Sequence, residues 1–486
     1  MACIVGLSAV APAAYCSSAH QDPHLTIAPD ATGLIATLSV AGPINGSGPF
    51  FQSLGTNGRS CSTCHDSAEA MSFTPAHANM RFDATRGTDP LFALVDGANC
   101  DNVKASDRAG HSLILQNGLI RIALAVPANA QFSIEVVSDP YGCALRIDPT
   151  THVLTASVYR RPLPATNLSF LSAVMFDGRE TVAALTSETT DAANLVTDLL
   201  QQASDATTGH AQATAPPSQA QLMSIVSFEL GLYTAQTRDG RAGALDAYGA
   251  AGGPWSLAGQ SYYPAINDTL GQDPNGIAFN PAAMQLFAAW TQSPHAQPAD
   301  RQRAARAAIA AGEQLFDSAP LTITNVRGLN DNAALGNPTS FQGTCTTCHD
   351  APNVGDHSLP LPLDIGTAHT ANPSYESDPL IAAALSQLSM PKLPVFLISG
   401  CPDPFNPGQT ASFYTTDPGK ALISGHCSDF NRIKGPILRG LAARAPYFHN
   451  GAAATLDEVV NFYNMRFQMG LTQQQKDDLV AFLNSL

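Results

Sequence analysis

One five-residue word occurs twice in this chain, as Cys61-Ser62-Thr63-Cys64-His65 and as Cys345-Thr346-Thr347-Cys348-His349. Cys-x-x-Cys-His is the attachment word of a c-type haem. The two thiols form thioethers with the haem vinyl groups, and the histidine is placed under the iron as proximal ligand. Zinc sites built from paired Cys-x-x-Cys words hold the pairs about 15–20 residues apart, whereas these lie in different thirds of the chain. A thioredoxin-like dithiol needs one such pair and gives the adjacent histidine no role. The flanks repeat as well. Phe50-Phe51-Gln52-Ser53 and Gly58 precede the first word, Leu315-Phe316-Asp317-Ser318 and Gly343 precede the second, and Asp66 and Asp350 follow them. The chain therefore reads as two cytochrome c-like units carrying two covalently attached c-type haems.

A length of 486 residues is enough for two or three domains, and the low charged content of 13% with 37 Gly and 35 Pro suits loops wrapped around apolar cofactors. The net charge of −15 makes nucleic acid and anionic membrane surfaces poor partners, while an acidic face can steer a basic redox protein. Beyond the haem words, Cys100 and Cys143 bracket a strand-rich stretch and Cys401 and Cys427 bracket a loop; disulfides 100–143 and 401–427 are expected, as an oxidising compartment favours such staples. Cys3 and Cys16 fall in residues 1–19, which read as an export signal without a basic start. No later stretch approaches the ~18–20 apolar residues of a membrane span. Together these point to the periplasm.

The expected fold class is mainly α: two cytochrome c-like haem domains, with a small antiparallel β insertion in the first. The N-terminal haem domain is placed at 25–236, with edge strands over 25–45 and the insertion at about 110–160. A Ser218/Gln221 capping box opens a helix over 218–236 whose apolar face is Leu222, Ile225, Val226, Leu230 and Tyr233. Residues 237–298 read as a connecting excursion, and 299–486 as the C-terminal haem domain. Its first helix spans about 299–317, and Thr455/Glu458 and Thr472/Gln475 open two C-terminal helices.

Two further words resemble the bacterial di-haem cytochrome c peroxidase/MauG family. The first is Phe176-Asp177-Gly178-Arg179, preceded by Arg161-Pro162-Leu163-Pro164. The second is Lys434-Gly435-Pro436-Ile437-Leu438-Arg439 running on to Ala445-Pro446-Tyr447-Phe448-His449-Asn450-Gly451 and Ala454-Thr455-Leu456. With the haem words, the resemblance covers about half the chain; the inserts are similar to those of the di-haem rubber oxygenases of the same superfamily. It implies that peroxide or oxygen reacts at the N-terminal haem (Cys61, Cys64, His65). Electrons, from a small redox protein such as a cytochrome c or cupredoxin, would pass through the C-terminal haem (Cys345, Cys348, His349). The alternatives are oxygen-dependent cleavage of an organic substrate and a non-enzymatic di-haem electron carrier.

The resemblance also assigns residues, and here several depart. The sixth ligand of the second haem lies fourteen residues after the histidine matched by His449. That position is Tyr463, as in MauG, rather than the Met of the peroxidases; Met465 and Met469 are the alternatives, and His449 itself is expected beside the haem without ligating it. A phenolate should lower the potential of that iron. The family's Trp between the haems is Phe176 here. Its distal Glu loop is missing, so His210 is the expected acid/base, with Glu180 or Glu188 as alternatives. His77 stands twelve residues after His65, where a removable distal histidine lies sixteen after, and Arg179 is expected either on a haem propionate or in the chemistry. A calcium ion between the haems would use carbonyls of residues matching Arg444 and Pro446 and an Asn aligned near Arg161, which cannot ligate a cation.

Overall fold

The computed structural model describes residues 22–44, 46–149, 151–181, 194–291, 300–352, 354–355, 361–403, 405 and 408–486. The expected leader (1–19), Glu188 and the end of the 237–298 excursion lie outside the described residues. Among those described, the helices are α1 (Pro75–Thr85), α2 (Ser112–Asn117), α3 (Leu195–Gly209), α4 (Gln219–Leu230), α5 (Pro254–Ala258), α6 (Asp300–Ser318), α7 (Pro379–Leu385), α8 (Ala421–Ser424), α9 (Leu456–Arg466) and α10 (Gln473–Leu483). The strands are β1 (Leu25–Pro29), β2 (Gly33–Ser39), β3 (Ile120–Ala125), β4 (Ser133–Ser138), β5 (Leu145–Ile147), β6 (Leu154–Arg160), β7 (Leu232–Asp239), β8 (Gly243–Ala244), β9 (Leu321–Ile323), β10 (Phe341–Gly343), β11 (Val395–Pro402) and β12 (Thr410–Thr415). Helix makes up 31% and strand 17%. The fold is therefore mixed α/β with several small antiparallel sheets, not mainly α.

Three stretches account for that correction. The helix expected over 218–236 stops at Leu230, and after Gly231 the chain turns into β7, which pairs antiparallel with β2 (Ala36 opposite Ala235). Tyr233 is thus a strand residue. The run Val395-Phe-Leu-Ile-Ser-Gly-Cys-Pro forms β11, with Phe396 and Ile398 buried on alternate positions, as a strand with one covered face should be, before its register shifts ahead of Cys401. The insertion supplies the sheet β3-β6-β5, but its remaining strand β4 leaves to pair with β11, Ile134 opposite Ile398. One core joins these pieces: Leu124, Ala144, Ala156 and Val158 pack with Phe396 and Leu422.

Two helix pairs frame the haem words. In the C-terminal half α6 crosses α10 so closely that a Cβ on Gly312 would lie 2.0 Å from the Asp478 carbonyl oxygen. Ala242, Leu245, Met284 and Phe287, from the described part of the excursion, share the core of this pair with Ile309, Phe316 and Phe482. In the N-terminal half α4 packs on α3 and on the short turn Pro49–Phe51. The Ser218/Gln221 and Thr472/Gln475 boxes close as expected, and Thr455 accepts from the Glu458 amide. Both expected disulfides form, with Cα atoms 5.8 Å apart for Cys100–Cys143 and 5.6 Å for Cys401–Cys427.

Candidate active site

The two Cys-x-x-Cys-His words fold alike. Each is a 3-10 turn, Cys61–Thr63 and Cys345–Thr347, opened by a reciprocal cap: Ser60 with Thr63, and Thr344 with Thr347. The backbone amides of His65 and His349 donate to the carbonyls of Cys61 and Cys345 at 3.1 and 2.9 Å. This closure brings both thiols and the imidazole of each word to one cavity wall. An aromatic pair supports each imidazole. Phe50 lies 6.5 Å from His65 and 5.0 Å from Phe228; Phe316 lies 6.4 Å from His349 and 5.4 Å from Phe482. The repeat thus matches Phe50, not Phe51, with Phe316.

The residues fit covalently held haem. Cys61, Cys64, Cys345 and Cys348 are outside the disulfides and line two apolar cavities, Cys61 and Cys64 with His65 in the first, Cys345 and Cys348 with His349 in the second. His65 Nδ1 faces the Met71 carbonyl at 2.9 Å, which favours the Nδ1–H tautomer and leaves Nε2 as the lone-pair nitrogen. Burial holds both imidazoles neutral, lowering His65 and taking His349 down to about 4, the state in which a histidine ligates a metal.

The first cavity carries His210, which caps the end of α3. Its Nδ1 is in short contact with the Asp96 carboxylate, and Asp96 also meets Arg59. Burial pushes Asp96 up, but the hydrogen bond from His210 and the Arg59 charge hold it below the usual carboxylate range. Arg59 in turn donates to the carbonyls of Pro90 and Leu91 at 2.7 and 2.8 Å. Glu229 of α4 lines the same cavity, 5% exposed.

In the second cavity Tyr463 stands with Cys345, Cys348 and His349, packed among Phe448, Phe462 and Phe467, and burial raises its phenol. Met469 lines this cavity too, while Met465 is exposed and does not. His449 is buried there edge-on to Phe176, ring centroids 6.1 Å apart, and burial lowers it to about 4.

Comparison with known proteins bears on this geometry. No protein-family profile matches the chain. It is 33% identical over 152 residues to cytochrome-c peroxidase IdrP2 of Denitromonas iodatirespirans, covering 30% of this chain and 36% of that protein. It is 42% identical over 84 residues to cytochrome c peroxidase Ccp of Escherichia coli K12, covering 17% of each. This chain is a relative of the cytochrome-c peroxidases. It spans little more than a third of the first relatives' length, 36% and 38%.

Within that family frame, not every expected residue converges. Phe176 lines only the second cavity; the wall common to both is Pro162, Leu163, Pro164 and Lys434, whose amide donates to the Phe176 carbonyl at 2.7 Å. Arg179 lines neither cavity and is tied to Asp177 at 3.0 Å; Asp177, though buried, is held at about 2 chiefly by the Arg160 charge. Glu180 lines neither cavity, and His77 faces Glu69 at 3.4 Å away from the first. At the position expected to offer an Asn to calcium, Arg161 Nη2 instead donates to the Arg444 carbonyl at 3.2 Å, one of the oxygens such an ion would use. Asp96, Arg59 and Glu229 were not legible in the sequence. They come from separate segments with no shared spacing. Lys434 was visible as the first residue of the 434–456 word.

Proposed function

We propose that this chain is a di-haem peroxidase-type oxidoreductase in which peroxide, or oxygen, reacts at the Cys61–His65 site and electrons arrive through the Cys345–His349 site. The observation that carries the reading is the duplicated turn-and-aromatic frame over two cavities of different chemistry. The first holds a His–Asp pair; the second holds a part-buried tyrosine. Haem, when bound, supplies an iron that takes up the oxidant and passes single electrons.

The chain's residues supply the rest. Cys61 and Cys64 would anchor the group, and His65 Nε2 would be the nitrogen free to hold it, since Nδ1–H is spent on the Met71 carbonyl. Asp96 fixes His210 so that Nε2 is its basic nitrogen, able to take a proton from the arriving oxidant and return it to the departing oxygen. Tyr463 would offer its phenol oxygen to the group in the second site, becoming phenolate only where iron takes the place of the proton that burial otherwise holds on it, and the wall of Pro162–Pro164 and Lys434 would separate the two sites while excluding water. The site would work in the periplasm, fed by a small basic redox protein attracted by the net charge of −15. Domains of 25–236 and 299–486, joined by 237–298, complete the reading. The test is to mix hydrogen peroxide with the half-reduced, haem-loaded protein and add a reduced cytochrome c. Turnover supports the reading, and two low-spin haems inert to peroxide would leave only electron carriage.

A further inference from the structure

The internal repeat provides a control for one residue that the reaction above leaves unused. Phe228 on α4 and Phe482 on α10 occupy the same place over Phe50 and Phe316, so the residue after each is also equivalent: Glu229 in the first unit, Leu483 in the second. Both line their cavities. An apolar side chain is what a haem edge asks for, and the second unit has one. The first unit instead buries a carboxyl whose Oε2 finds no hydrogen-bond partner among the described residues. A buried, unpaired carboxyl is costly.

The other ionisable groups nearby do not relieve it. On the cavity wall Arg59 and Asp96 are bound to each other and to His210, and His65 is held neutral by burial; Lys434 lies on the wall shared with the second cavity, and Asp198 is buried on α3, which packs on α4. Burial alone pushes Glu229 up to about 8. The Cys61 sulfur is within reach of its charge.

We propose that Glu229 is the proton-coupling group of the first haem site, taking up one proton when that iron gains one electron. The proposal rests on the reading of Cys61–His65 as a haem site. Ferric iron plus carboxylate, one electron and one proton give ferrous iron plus carboxylic acid; the electron comes from a one-electron donor and the proton from solvent. Reduction removes one positive charge beside the carboxyl, so proton affinity rises on reduction, and the neutral acid keeps the buried site from gaining net negative charge. Glu229 acts through the iron's potential and is a positioning residue, not a catalytic one.

The experiment is spectroelectrochemical titration of the full haem-loaded protein, followed at the first haem across pH, for wild type, Glu229→Asp, Glu229→Gln and Glu229→Leu, the last installing the second unit's own residue. Wild type should show a midpoint that falls as pH rises from the ordinary carboxylate range toward about 8, then levels. Glu229→Asp should keep a slope, and Glu229→Gln and Glu229→Leu should flatten it, with the second haem unchanged in all. A flat wild-type profile, or an unchanged slope in Glu229→Gln, would overturn the proposal. A pyridine haemochrome assay on each protein separates the two claims, since no haem on Cys61 and Cys64 defeats the underlying reading, whereas full haem with a flat profile defeats the proposal alone.

Discussion

At the scale of single residues, the proposed reaction would depend on His210 and on the Asp96 carboxylate that contacts it. Replacing His210 with Ala should slow the reaction with peroxide by about 10²-fold or more, measured by stopped-flow absorbance; an unchanged rate would remove its role. Tyr463→Met should raise the potential of the second haem alone, and an unmoved potential would show that the phenol does not ligate. A third residue concerns stability. His369 is part-buried, with Nε2 2.9 Å from Asp364 and Nδ1 2.5 Å from Glu376. Burial opposes its charge, but the two carboxylates raise it to about 10. Because the folded value lies above the unfolded value of roughly 6.5, the stabilisation is full below that pH and is lost as pH rises toward 10. Melting temperature should therefore fall over that window, and His369→Gln should flatten the fall. The Cys61–His65 and Cys345–His349 words were legible because the chemistry they suggest needs neighbours in sequence. Asp96, Glu229 and the His369 cluster were not, because each is assembled from segments that only the fold brings together.

At the scale of elements, helices announced themselves by caps and spacing, and strands by composition only where a run was long. The β11 run reads as a loop because it leads into the stretch that Cys401 and Cys427 staple, and β4 reads as part of the insertion because nothing local shows that its partner lies in the other half of the chain. Gly312 illustrates a constraint of packing. Alanine normally improves a helix by about 1 kcal/mol over glycine, yet here its Cβ would meet the Asp478 carbonyl at 2.0 Å. Gly312→Ala should destabilise by about 1–3 kcal/mol, seen as a lower melting temperature; a stabilised variant would mean that α6 and α10 do not cross so closely. Arg161 links elements too, donating to the carbonyls of Gly118, Phe73 and Arg444 at 3.1, 2.8 and 3.2 Å. Chelators should leave activity unchanged, and Arg161→Met should lower stability by orphaning those oxygens.

At the scale of the whole molecule, the two copies of one sequence word have become unequal. Each copy keeps the capped turn and the aromatic pair. What differs is the polar equipment: His210, Asp96 and Glu229 line the first cavity, and Tyr463 and His449 line the second. Among the described residues only Pro162–Pro164 and Lys434 line both, which makes that wall the route the proposed electron transfer would take. The central claim is that the first site meets the oxidant and the second feeds it. It is tested most directly by adding hydrogen peroxide to the half-reduced protein and following both haems by electron paramagnetic resonance. The account predicts that the first haem's signal changes within the first turnover and that the second then loses its electron. Peroxide reacting at the second haem, or at neither, would contradict it.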